Sequence, residues 1–170
     1  MSFAEEWLLR YEGIKKGGNK MESQEYKNIL VGVDGSDQAQ QAFVKAIEVA
    51  RRNNGKVYVA NVVQQQITPM LGYGEINQSI MDQETESAKE LLETCKTYAR
   101  EHDFTNIEGI LTYGSAKQAM ARDLPKKYHI DLVMVGQSGL NAVERFMTGS
   151  VASYVIRQAP CDVLVVSEEA

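Results

Sequence analysis

The stretch D-L-V-M-V-G-Q-S-G-L-N-A-V-E-R-F-M-T-G-S-V-A-S-Y-V-I, from Asp131 to Ile156, decides how the chain folds. It opens with an uninterrupted apolar run, Leu132 to Val135, too short for a helix and rich enough in valine to be a buried strand. Gly136 ends the run, and a loop containing Gly139 follows. Gly149 and Ser150 then open an amphipathic helix with Val151, Tyr154 and Val155 on one side, and Ser150 is expected to be its N-cap. A strand, a glycine-punctuated loop and a helix N-terminus in this order suit an anion. Glycines let backbone N–H groups come close to a phosphate, and the first helical turn carries unpaired amides and the positive end of the dipole. The spacing is G-2x-G-9x-G-S. It lacks the Gly-Lys-Ser/Thr of a P-loop and is not G-x-G-x-x-G. On the residues alone, these glycines equally suit simple turns and Ser150 a simple cap.

Outward from that stretch, apolar strands alternate with amphipathic helices. Tyr26–Val33 reads as the first strand and ends in Asp34-Gly35-Ser36, where Ser36 or Asp37 caps the next helix. That helix places Ala39, Ala42, Phe43, Ala46, Ile47 and Ala50 at helical spacing, and Asn53-Asn54-Gly55 stops it. Lys56–Val63 is the second strand. Gln64–Gly74 is a loop, either a lid over a ligand or a plain connection, and a long helix runs from about Ile76 to His102. Asn106–Tyr113 is the third strand, and a helix from Gly114-Ser115 to about Tyr128 should kink or restart near Asp123, because Pro125 removes a hydrogen bond. Leu132–Val135 and Asp162–Val166 complete five strands. This β-α alternation predicts an α/β fold: a parallel sheet with helices on both faces. Right-handed crossovers then bring the C-terminal ends of the first and fourth strands together at a switch point, where ligands bind. Asp34 and the Gly136 loop should therefore meet.

Composition narrows the function. The 170 residues are 44% hydrophobic with a formal net charge of −5, enough for one full core and no electrostatic footprint for nucleic acid or an anionic membrane. Cys95 and Cys161 have no metal-ligand spacing and read as reduced core thiols, which suits the cytoplasm. No apolar run reaches transmembrane length, and the N-terminus does not read as a signal peptide. Residues 1–20 stand apart from a domain expected over 21–170. Phe3, Trp7, Leu8, Tyr11 and Ile14 would form one face of a short helix, Gly17-Gly18-Asn19 a linker, and Met21 an alternative start. His102 and His129 have no nucleophile or ligand neighbours in a recognisable pattern and read as structural or exposed.

Three blocks in this order resemble the universal stress protein family, in its ATP-binding branch. They are the first strand running into V-D-G-S (Val33–Ser36), G-Q-S-G with G-S-V (Gly136–Val151), and the ending A-P-C-D-V-L-V-V (Ala159–Val166). The resemblance covers about Tyr26 to Val166. It implies a Rossmann-like sheet of five parallel strands in the order 3-2-1-4-5, ATP with a divalent metal (Mg²⁺ or Mn²⁺), and a homodimer pairing the last strands, Val163–Val166. Such an apolar edge strand is a hazard unless covered. By position, Val33 and Asp34 would contact the nucleoside, and Val62 or Val63 would line the adenine slot. Val135, Gly136 and Gly139 would bracket ribose and phosphates, and Gly149, Ser150, Val151 and Ala152 would meet the phosphates. Arg145 is either a phosphate partner or a solvated loop charge. Two departures matter: Ala152 stands where some nucleotide binders have threonine, and Ser138 fills a position often basic or histidine. With no P-loop lysine and no base placed to activate water, the expected activity is nucleotide-dependent stress signalling with little or no hydrolysis. A slow ATPase or nucleotidyl-transfer enzyme and a non-nucleotide interaction domain are the alternatives.

Overall fold

The computed structural model describes residues 25–64, 74–137 and 148–167, without the side chains of residues 74–77. The expectations placed on residues 1–20, on the loop after Gln64 and on Ser138, Gly139 and Arg145 lie outside the described residues. Five strands form one parallel sheet: β1 (Asn28–Gly32), β2 (Lys56–Val63), β3 (Ile107–Tyr113), β4 (Leu132–Gly136) and β5 (Asp162–Val166), in the order β3-β2-β1-β4-β5. The connecting helices are α1 (Asp37–Asn53), α2 (Gly74–Glu101), the short α3 (Ala116–Gln118) and α4 (Leu124–Tyr128), and α5 (Ser150–Gln158).

Each face of the sheet has its own core. Under α1 and α2, Ile29, Val31, Val57 and Val59 pack against Phe43, Ile47, Leu92 and Ala99. Under α3 to α5, Leu30, Tyr58, Ala60, Val133 and Val135 pack against Met120, Leu124, Ala152 and Val155. Consecutive residues of β1 serve opposite faces, as the period of two requires, and Ile29–Val31 and Leu132–Val135 are continuous apolar runs because both faces are covered.

Local chemistry sets the element ends. α1 begins where the Ser36 hydroxyl accepts from the Ala39 N–H (3.2 Å) and ends at Asn54 in the left-handed conformation. β1 starts at Asn28, not at Tyr26 as the apolar run suggested. The Tyr26 N–H donates to Asn53 Oδ1 (3.2 Å) and the Lys27 N–H to the Asp131 carboxylate (2.8 Å), so side chains take the place of ladder partners.

The helix carrying Pro125 restarts where expected, by a device the sequence did not announce. One π-turn, Ala119–Asp123, separates α3 from α4, and the Leu124 N–H reaches back five residues to the Ala119 carbonyl. The widened turn accommodates a proline that lacks an N–H and would crowd the carbonyl four residues earlier. α5 differs from expectation by one residue: Gly149 is its N-cap and Ser150 its first helical residue. The Gly149 N–H donates to the Gln137 carbonyl (2.7 Å), and that bond sets the start of the helix from outside it.

Candidate functional site

The sheet brings the exits of β1 and β4 side by side. Val31 pairs with Met134 and Gly32 with Ala60. β1 ends at Gly32, so Val33 and Asp34 leave the sheet between the last residues of β2 on one flank and the β4 exit on the other. Asp34 is exposed, and its Oδ1 accepts from the Ser36 N–H (3.0 Å) and the Ser36 hydroxyl (2.6 Å). This is a closed Asx turn, with Gly35 at its apex at φ +86°, a conformation that L side chains rarely adopt. Ser36 is buried and its hydroxyl serves twice, donating to Asp34 and accepting from Ala39. The carboxylate is therefore held in one orientation at the rim of the crevice.

Behind the turn, Asn61 does work that its position in an apolar strand did not advertise. The Val33 N–H still donates to the Ala60 carbonyl (2.9 Å), while the Asn61 side-chain amide donates to the Val33 carbonyl (2.9 Å). Alternation along β2 turns the backbone of Val62 toward the β1 side, whereas the Val63 carbonyl accepts from the Gly114 N–H (2.9 Å) on the β3 side. Val62, Val135, Val151 and Ala152 belong to the core under α3–α5. Val33 belongs to the opposite one, and Val63 is buried with it by the alternation of the strand. Of the two valines expected at the end of β2, Val62 packs against the core under α3–α5 and Val63 is buried on the other face.

On the β4 side the glycines part company. A Cβ at Gly136 would lie 2.8 Å from the backbone carbon of Gln38 and 2.9 Å from its carbonyl oxygen, so this residue is glycine because the first turn of α1 crosses it. Gly149 caps α5 and spends its N–H on Gln137, whose own N–H donates to the Val166 carbonyl (2.8 Å). The Ser153 N–H is the first to find an intrahelical acceptor, the Gly149 carbonyl (2.9 Å). Helix geometry leaves the amides of Ser150, Val151 and Ala152 without one. Three amides with the positive end of a helix dipole can hold an anionic oxygen. The wall below them is apolar. Met120, buried, crosses Gly32 so closely that a Cβ there would meet its Cε at 3.0 Å.

Other candidates resolve into structural roles. His129 caps α4 at φ +50°, and His102 stacks on Tyr98 with centroids 4.0 Å apart. Both cysteines are free thiols. Burial pushes Cys95 up to about 11, and burial, ahead of the carboxylates of Asp131 and Asp162, raises Cys161. Among the described residues no three His, Cys, Asp or Glu side chains gather to hold a metal ion, and no helix is long and apolar enough to cross a membrane.

Comparisons with known proteins agree with this fold. The sequence model of the Universal stress protein family matches residues 25–167. A relative from Staphylococcus haemolyticus named for that family is 41% identical over 144 residues, covering 85% of this chain and 86% of its own. Among solved structures, the universal stress protein UspA from Lactobacillus plantarum is 31% identical with a TM-score of 0.79, covering 85% of this chain and 99% of that one. A universal stress protein solved in complex with cAMP is 26% identical with a TM-score of 0.60, covering 85% and 98%. One from Archaeoglobus fulgidus in complex with dAMP is 26% identical with a TM-score of 0.58, covering 83% and 98%. This chain belongs to the universal stress protein family.

Proposed function

We propose that this chain binds an adenine nucleotide, ATP with Mg²⁺ or Mn²⁺, in the crevice between the β1 and β4 exits, and acts as a nucleotide-loaded stress-response module with little or no hydrolysis. The observation that carries the reading is that adjacent strands exit into the fixed Asp34 carboxylate after β1 and, through the Gly149–Gln137 bond after β4, into the start of α5, whose first three amides lack an intrahelical acceptor. Ser150, Val151 and Ala152 would receive phosphate oxygens through their N–H groups. Val62 and Val135 would form the apolar wall for the base, with Val33 and Asp34 at the nucleoside. Gly139 and Arg145 belong to the same proposal as loop contributors. The metal would arrive with the phosphates and neutralise their charge, since among the described residues no three His, Cys, Asp or Glu side chains gather to hold one. The cAMP- and dAMP-bound relatives support an adenine nucleotide.

Calorimetric titration with ATP and MgCl₂ tests the reading. Saturable heat is expected, and heat no greater than dilution overturns it. A second reading, a domain whose glycines only shape the chain, is favoured by Gly136, whose need for glycine Gln38 already explains. Phosphate release above the buffer blank, lost in Asp34→Asn, would instead mark an ATPase. β5 lies at the sheet edge with Leu164 exposed, so a homodimer pairing Val163–Val166 with its copy is part of the proposal. Sedimentation at monomer mass at micromolar concentration would contradict that pairing. Two free cysteines suit a cytoplasmic setting.

A further inference from the structure

A cavity of about 240 Å³ lies between α1 and α2, on the face of the sheet opposite α5. Its walls are mainly Val33, Phe43, Val44, Leu91, Cys95 and Tyr98. We propose that it is a second binding site, for a neutral aromatic molecule of one or two fused rings.

Size sets the first limit. An apolar cavity of roughly 150 Å³ admits benzene, and drug-sized ligands occupy about 300–1,000 Å³. A volume of 240 Å³ falls between, room for an indole or a naphthol and too little for a nucleotide. Charge sets the second. Among the described residues no Asp, Glu, Lys, Arg or His lines the cavity, so an ionised ligand would lose its hydration without a partner.

The polar groups of the lining are largely committed. The Ser36 hydroxyl is engaged by Asp34 and Ala39, and the Thr94 hydroxyl donates to the Glu90 carbonyl (2.9 Å). The exposed Gln40 amide at the rim is left to meet one polar group of the ligand. Shape favours a ring. Phe43 and Tyr98 meet edge-on, with centroids 6.0 Å apart at 62°, and Tyr98 is backed by His102. A third ring beside such a pair gains from the same quadrupole geometry. The Cys95 thiol, kept protonated by its burial, adds a polarizable and uncharged floor.

The probe is 5-fluoroindole, titrated into the full chain and followed by its fluorine signal and by the methyl signals of Val33, Val44 and Leu91. Saturable binding that shifts these methyls and leaves Leu164 on β5 unmoved is expected. Thr94→Trp, at an exposed position on the cavity wall, should weaken binding by about tenfold or more. Val44→Phe, filling from the opposite wall, should do the same, so the test survives if one variant folds poorly. No saturation at millimolar probe, undiminished binding in both folded variants, or shifts centred on β5 would each overturn the proposal. The probe carries no phosphate, so failure of ATP to bind in its own titration would leave this readout unaffected.

Discussion

The exits of β1 and β4 lie next to each other and are built on opposite plans. The β1 exit is self-contained: Asp34, Gly35 and Ser36 close a turn within three residues and present a negative side chain. The β4 exit has almost nothing local in it. Gly136 is set by Gln38 of another element, and Gln137 is tied to Val166 on one side and Gly149 on the other. What it presents is backbone, the positive end of α5. A site made this way separates two tasks. Under the proposed function, amides would supply attraction for phosphate that does not depend on side-chain identity, and the carboxylate would supply orientation at the nucleoside.

The largest effect should follow from breaking the non-local exit. Gly136→Val would drive a branched side chain into the backbone of α1, and a loss of more than about 3 kcal/mol in urea unfolding is expected. A loss below 1 kcal/mol would mean that α1 slides aside and that the contact does not set the fit.

Next, Asp34→Ala should raise the dissociation constant for ATP by about 10–100-fold, the range for hydrogen bonds involving a charged group, and cost about 1–2 kcal/mol of stability through its two lost bonds to Ser36. Unchanged affinity in calorimetry would reduce the β1 exit to a turn.

Ser150→Pro is a sharper probe of the β4 exit. Proline is at home in the first helical position, and Gly149, at φ −57° and ψ 157°, already has the extended conformation that a residue before proline adopts. The helix should survive while one donor disappears, weakening ATP binding about tenfold. Full affinity with one amide removed would count against the three-amide cradle. The smallest effect belongs to Ser36→Ala, about 1 kcal/mol of stability from the lost cap. Its measurement by thermal unfolding would also show how firmly the turn holds Asp34.

How much of this was legible beforehand follows the same division between local and distant causes. The strands, the α1 caps, the restart near Pro125 and the adjacency of the first and fourth strands were readable, because each rests on periodicity, turn chemistry or the handedness of crossovers. The start of α5 was misplaced by one residue because Gly149 and Ser150 are both good caps, and a bond from Gln137 chooses between them. The reason for Gly136 was hidden for a similar cause. A glycine admitting a phosphate and a glycine admitting the backbone of Gln38 look alike in one dimension. Asn61, Met120 and the cavity behind Phe43 were invisible, since their roles arise only when β2, the π-turn and α2 are stacked. The polar Asn61 inside the apolar run Lys56–Val63 was the one available signal.

The bond from the Gly149 amide to the Gln137 carbonyl has an evolutionary corollary. It joins the two residues that bound the intervening segment, so that segment can be lengthened, shortened or rewritten without disturbing the register of β4 with β5. Loop-closure cost grows only logarithmically with added residues, about 0.6 kcal/mol per doubling. Descendants of one ancestor could thus vary that segment as a cassette, leaving the rest of the domain untouched.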